Sequence, residues 1–206
     1  MTIPRPTRHP LRWLFVVLGL AAVTLTVSVG CGRRDGDADG NGAAVDMALM
    51  AFLSQARALH HQANLKEESG DLAGAADSME RLVTAQRPHD GKAPEIREVL
   101  ADAYARLAEL RLRQNTSGAS SFDRAAEAVK AGLVYAPDPT YFRGHLLEVE
   151  GLIEEARAAE LADGGKLEEA VRAREKAIQL LEEVVRIQEQ VIQRSLADRD
   201  AAGGGR

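Results

Sequence analysis

"GDLAGAADSMERLV" (residues 70–83), "SSFDRAAEAVKAGL" (120–133) and "GKLEEAVRAREKAI" (165–178) align without a gap. Leu72, Phe122 and Leu167 coincide, as do Ala75, Ala125 and Ala170, and then Val83, Leu133 and Ile178. A large apolar residue, a small one three positions on and another large one about two turns later lie on one face of a helix. The small residue in the middle lets a second helix approach closely. Upstream, Ala63 and Ala158 each stand seven residues before the aligned Gly70 and Gly165, and Ala108 takes the same place before a longer loop. Each quoted stretch therefore reads as the second helix of a pair.

Working outward, apolar spacing and breakers divide the chain from Val45 onward into six helical segments. The first runs from about Val45 to Ser69, and Gly70-Asp71 closes it and caps the second, which reaches about Gln86. "RPHDGKAP" (87–94) is a loop that places Pro94 in the first turn of a third helix, beside Glu95. There Ile96, Val99, Ala103, Leu107 and Leu110 form one stripe. A fourth helix spans Phe122 to about Tyr135. A fifth carries Phe142, Leu146, Val149, Ile153 and Ala156 and stops at Gly164-Gly165, and a sixth runs from about Lys166 to Leu196. The composition agrees: aromatic residues make up only 4% of the chain, and the apolar positions are mostly Ala, Leu and Val, which suits closely packed helices better than sheets. The expected fold is all-α, with three stacked antiparallel helix hairpins and a long C-terminal helix. Residues 45–196 form its repeat domain and 197–206 a disordered tail.

The turn, the Ala and a following proline, as in "ESGDLAGAADSMERLV" with Pro88 and "SFDRAAEAVKAGLVYAP" with Pro137, resemble the tetratricopeptide repeat. The copies are spaced 50 and then 45 residues apart, against about 34 in that family. The resemblance implies a concave groove lined by the first helix of each pair. Its positions here are Arg57, His60, Asn64 and Glu67, then Asp102, Ala105 and Glu109, then Leu152, Glu155 and Ala159. Such a groove would take an extended peptide or protein segment. A plain up-and-down bundle is the competing architecture.

The amino end speaks of location. Residues 1–12 are basic, and residues 13–30 carry no charge. A cationic start, an apolar stretch and small residues make a secretory signal, although the stretch nears the length of an uncleaved membrane span. Val29-Gly30-Cys31, which holds the only cysteine, resembles a bacterial lipoprotein signal. The resemblance implies cleavage after Gly30, a diacylglycerol (and commonly a palmitate) on Cys31, and a place on the periplasmic side of the cell envelope. Gly32, standing where an Asp would retain many such proteins at the inner membrane, favours the outer one. Residues 1–31 are then signal and lipidation cysteine, and 32–44 a flexible, acidic, Gly-rich tether. Within it Asp35, Asp37, Asp39, Gly40 and Asp46 have calcium-loop spacing, but Gly42 and the short final Asp depart from that pattern and no helix leads in.

Of the 26 Lys and Arg, three precede Cys31, leaving 23 against 31 acids, a balance of −8. That sign repels nucleic acid, and no basic strip interleaved with aromatics occurs. None of the five histidines forms His-Glu-x-x-His, and no nucleophile elbow or phosphate loop is present. No enzyme, cofactor or metal site is expected, and the implied partners are a membrane and a protein or peptide. The sixth helix adds one more surface. Leu180, Val184, Ile187 and Val191 make a stripe with Ala177, while Leu181, Val185 and Ile192 make a second with Ile178, a width that suits homodimerisation as well as intramolecular packing.

Overall fold

The computed structural model describes residues 46–114 and 119–203. Six α-helices make up the described chain: α1 (Met47–Glu68), α2 (Leu72–Val83), α3 (Pro94–Arg113), α4 (Ala119–Leu133), α5 (Tyr141–Asp163) and α6 (Leu167–Gly203). No strand occurs among the described residues. The all-α expectation holds.

Local chemistry sets the helix ends. The Asp46 carboxylate accepts from Leu49 N–H at 3.0 Å, that of Asp71 from Gly74 N–H at 2.8 Å, and the Thr140 hydroxyl from Arg143 N–H at 3.4 Å, each satisfying a donor the first turn leaves free. Pro94 opens α3, where its missing N–H costs nothing. The α1–α2 and α5–α6 turns close in the same way: Asp71 N–H donates to Lys66 C=O at 2.8 Å, and Lys166 N–H to Leu161 C=O at 2.9 Å. The preceding residues, Gly70 and Gly165, have φ of 83° and 76°, a left-handed cap that glycine adopts without strain. Both turns thus repeat the sequence alignment in backbone geometry.

Sequential helices pair, α1 with α2, α3 with α4 and α5 with α6; α3 also packs on α2 and α5, and α5 on α4. The aligned small residues are in the core. Ala63 and Ala75, Ala108 and Ala125, and Ala158 and Ala170 are each no more than 1% exposed. Around them Met79, Leu82, Ile96, Leu100, Leu107, Leu146 and Ile153 are essentially free of solvent contact. On α5 a further small stripe, Gly144, Gly151 and Ala158, brings α6 close: a Cβ at Gly151 would stand 3.3 Å from Leu181, and one at Gly144 would meet Gln188 and Ile187.

Three expectations are corrected. Helix α2 stops at Val83 instead of near Gln86, because Thr84 turns its hydroxyl onto Glu80 C=O at 2.7 Å and the chain leaves the helix. The loop after it winds into a short 3₁₀ turn, Pro88–Gly91, with His89 and Asp90 at φ of 51° and 53°. Arg87 holds that turn down by donating to Val83 C=O and to the Tyr135 hydroxyl, both at 2.7 Å. At the other end α6 passes Leu196 and continues to Gly203, so residues 197–203 are helical and not a disordered tail. "ADRDAA" contains no breaker, and its alanines favour the helix.

Gly132 of α4 is where a conformational gain and a packing loss oppose each other. An alanine there would gain about 1 kcal/mol in helix propensity. Its Cβ, however, would lie 2.6 Å from Leu146 and 2.8 Å from the Cβ of Tyr104, which cannot swing away. Overpacking of that kind costs about 1–3 kcal/mol, so Gly132→Ala is expected to lower unfolding stability by up to about 2 kcal/mol in urea titrations instead of raising it.

Candidate functional site

The groove positions on α1 lie one residue to the side of its core stripe. Phe52, Ala56, Leu59 and Ala63 are buried, and Arg57, His60, Asn64 and Glu67 follow each of them or the next turn, about 100° around the helix. On α3 the corresponding stripe is Asp102, Arg106, Glu109 and Arg113, and α5 contributes His145. The three helices bring these side chains into one network of alternating charge.

Glu67 bridges two arginines, receiving Arg106 Nη2 on one oxygen and Arg113 Nη1 on the other. Arg106 also reaches Asn64 Oδ1 at 3.4 Å and Glu109 at 3.8 Å. Glu109 then meets His145 Nε2 at 3.3 Å. Asp102 lies between the two imidazoles, 3.8 Å from His60 Nε2 and 3.9 Å from His145 Nδ1. The histidines are pushed in opposite directions. The hydrogen bond that His145 donates to Glu109 raises the imidazole, with the charges of Glu109, Asp102 and Glu148 adding to it against the cost of burial. Burial lowers His60, with Arg106 also lowering it and Asp102 only partly compensating.

Beside this network is a cleft of about 440 Å³. Leu53, Ala56, Val99 and Phe142 make its apolar part, and Arg57, His60, Glu95, Glu98 and Asp102 its polar part. A second hollow, lined by Asn64, Glu67, Glu68, Arg106 and Arg113, continues along the same face. A larger one of about 680 Å³ lies between α1 and the end of α2; its Arg87 is already engaged by Val83 and Tyr135. Among the described residues no three His, Cys, Asp or Glu side chains converge as a metal-ligand set.

Of the residues singled out from sequence, Arg57, His60 and Asp102 border one cleft, Asn64 and Glu67 border the next, and Glu109 joins the network. One groove expectation is corrected. Ala105 is fully buried in the core, because α3 has neighbours on both sides and its stripe turns one residue further, to Arg106. Glu155 is exposed on α5 and enters none of the ion pairs of this face among the described residues. Sequence reasoning missed Arg106, Arg113 and His145. His145 stands seven residues before Leu152, so extending the α5 stripe by two turns would have reached it, and Arg106 and Arg113 lie four beyond Asp102 and Glu109.

The two stripes on α6 separate. Ile187 is buried and Leu180, Val184 and Val191 are half-buried, whereas Leu181, Val185 and Ile192 are exposed at 39%, 57% and 56%. Gly30 and Cys31 lie outside the described residues, as does the calcium-like stretch except for Asp46. The Asp46 carboxylate caps α1 and pairs with His89. No helix among the described residues is long and apolar enough to cross a membrane. No protein-family model, no curated protein and no solved structure matches this chain.

The opposed histidine shifts can be read directly. A raised His145 stabilises the fold fully below its unfolded value of about 6.5, and that contribution is lost as pH rises through the higher folded value. His60, which resists protonation in the fold, instead penalises it as pH falls through about 6.5. In proton NMR titrations the His145 ring should show a midpoint above 6.5 and the His60 ring one below it. Glu109→Gln should bring the His145 midpoint down while leaving His60 below 6.5.

Proposed function

We propose that this protein is a lipid-anchored scaffold of the bacterial cell envelope, built as three stacked helix hairpins of tetratricopeptide-like design, that holds an extended protein segment on the face shared by α1, α3 and α5. The stacked reading is supported by the contact order, in which each second helix packs on the first helix of the following pair, and by the repeated turn at Gly70 and Gly165. An enzymatic reading has less behind it, since the clustered acids and bases of this face are engaged with one another.

One observation carries the binding reading: an open cleft with an apolar floor and an uneven rim. With His60 held toward its neutral form, Arg57 is the one cation among the residues lining the cleft, against Glu95, Glu98 and Asp102, the last also lying near His145. A segment that fits presents an apolar side chain to Leu53, Val99 and Phe142 with Lys or Arg on either side. Rim charges of this kind select partners and speed encounter more than they add affinity, and salt weakens their effect.

Glu95 and Glu98 are both exposed, so reversing them tests the cleft without disturbing the core. Fluorescence anisotropy with a panel of ten-residue peptides, each a Leu or Phe flanked by lysines, should detect binding to the full chain. Glu95→Lys with Glu98→Lys should weaken it by about tenfold or more at low salt. Equal binding of glutamate-flanked peptides would overturn the reading.

The anchor rests on Val29-Gly30-Cys31 and has its own test. Labelled palmitate should enter the protein in bacterial cells and should be lost with Cys31→Ser, which should also move the protein from the membrane fraction. Retention of label by that variant would remove the assigned location.

A further inference from the structure

We propose that the outer apolar stripe of α6 is a dimer interface, on which a second copy of this chain lays its own α6 in antiparallel orientation. The inference goes beyond the groove reading and does not depend on it, since it uses a different helix face.

The earlier pairs show that this face is built to be covered. In the alignment Met79 and Val83 of α2 take the places of Arg174 and Ile178, and Val129 of α4 that of Arg174. Met79, Val83 and Val129 are at most 5% exposed, on helices that pack against α3 and α5. On α6, whose main neighbour is α5, Ile178 is 57% exposed. The stripe also outruns α5. Gly144 lies against Gln188, with only Tyr141–Arg143 of α5 beyond that crossing, whereas α6 continues through Ile192 and Leu196 to Gly203.

The rest of the chain offers no matching cover among the described residues. The other exposed large apolar side chains among the described residues are Met47, Met50 and Leu65 on α1, Val134 after α4, and Tyr141 and Leu152 on α5. Alpha-six matches itself. Val171, Ile178, Val185 and Ile192 repeat every seven residues, the period of paired helices. Apart from Leu181, which falls level with Glu182, the pattern is also symmetric about the bond between Leu181 and Glu182. Reversing the helix about that point sets Leu167 level with Leu196, Val171 with Ile192, and Ile178 with Val185. The same operation sets Arg174, the one cation within the stripe, level with Glu189 of the second copy. A parallel pair would place Arg174 beside Arg174. Such two-fold self-complementarity is what a closed homodimer requires.

The size is adequate. From Leu167 to Leu196 the stripe extends about 45 Å. Its half-exposed Leu, Val and Ile side chains present on the order of 500 Å² per copy, so that two copies bury on the order of 1,000 Å², about the minimum for a specific interface. None of the residues lining the α1–α3–α5 face belongs to this stripe.

The test uses the full-length chain in bacterial cells with a benzophenone amino acid at position 185 and, as a control, at exposed position 77 on α2. Irradiation should give, from position 185 only, an adduct of twice the chain's mass whose cross-linked peptide maps near Ile178. Ile178→Glu in the same chain should abolish the adduct while the far-ultraviolet circular dichroism of the purified protein is unchanged, since the side chain is already exposed. No adduct, an adduct with another protein, a map back onto position 185, or an adduct that survives Ile178→Glu would each overturn the proposal.

Discussion

The close approach of paired helices over alanine governs the rest of the structure. In every pair one alanine from the first helix and one from the second are removed from solvent: Ala63 and Ala75, Ala108 and Ala125, Ala158 and Ala170. A larger residue at any of them would push its helix outward, and packed interiors do not absorb an added methylene freely. Because the approach is close, large residues above and below, such as Met79, Leu82, Val129 and Ile153, can reach across and fill the remaining space. The last pair carries this furthest, with Gly144 and Gly151 facing α6 alongside Ala158.

This packing leaves the first helices of successive pairs side by side, and their polar edges meet. The result is a dense set of ion pairs, not a row of free charges. Glu67 is held by two arginines, and Asp102 and Glu109 share His145. Exposed ion pairs contribute little to stability singly, but a network orients its members and leaves the neighbouring cleft with a defined excess of carboxylate. Lys176 plays a comparable part between α5 and α6, donating to Glu154 at 3.0 Å and lying 3.1 Å from Glu150. Burial alone would depress its ammonium, but the two carboxylates outweigh that and raise it.

The polar face of α1 was legible in outline because a helix face follows from spacing alone. Arg57, His60, Asn64 and Glu67 recur at three and four residues, and any helix through them puts them on one side. Legibility failed one residue later. Whether Ala105 or Arg106 faces the groove depends on how far α3 is rotated, and that rotation is set by α2, α4 and α5 packing on it together. Helix ends failed for a similar reason: Thr84 and the 3₁₀ turn behind it respond to Arg87 reaching Tyr135, a residue distant in sequence.

What the amino-acid sequence determined by itself is everything that depends on neighbours within one or two turns. The all-helical class, the six segments, the glycine turns at 70 and 165 and the small residues in register all follow from local spacing and local backbone preference. Tertiary structure decided which of two equally apolar stripes on α6 is buried, since Ile187 and Val185 differ in exposure only because α5 lies on one side. It also decided that His60 and His145 are pushed apart in acidity, because burial and the placing of Glu109 and Asp102 are properties of three helices brought together and of no segment alone.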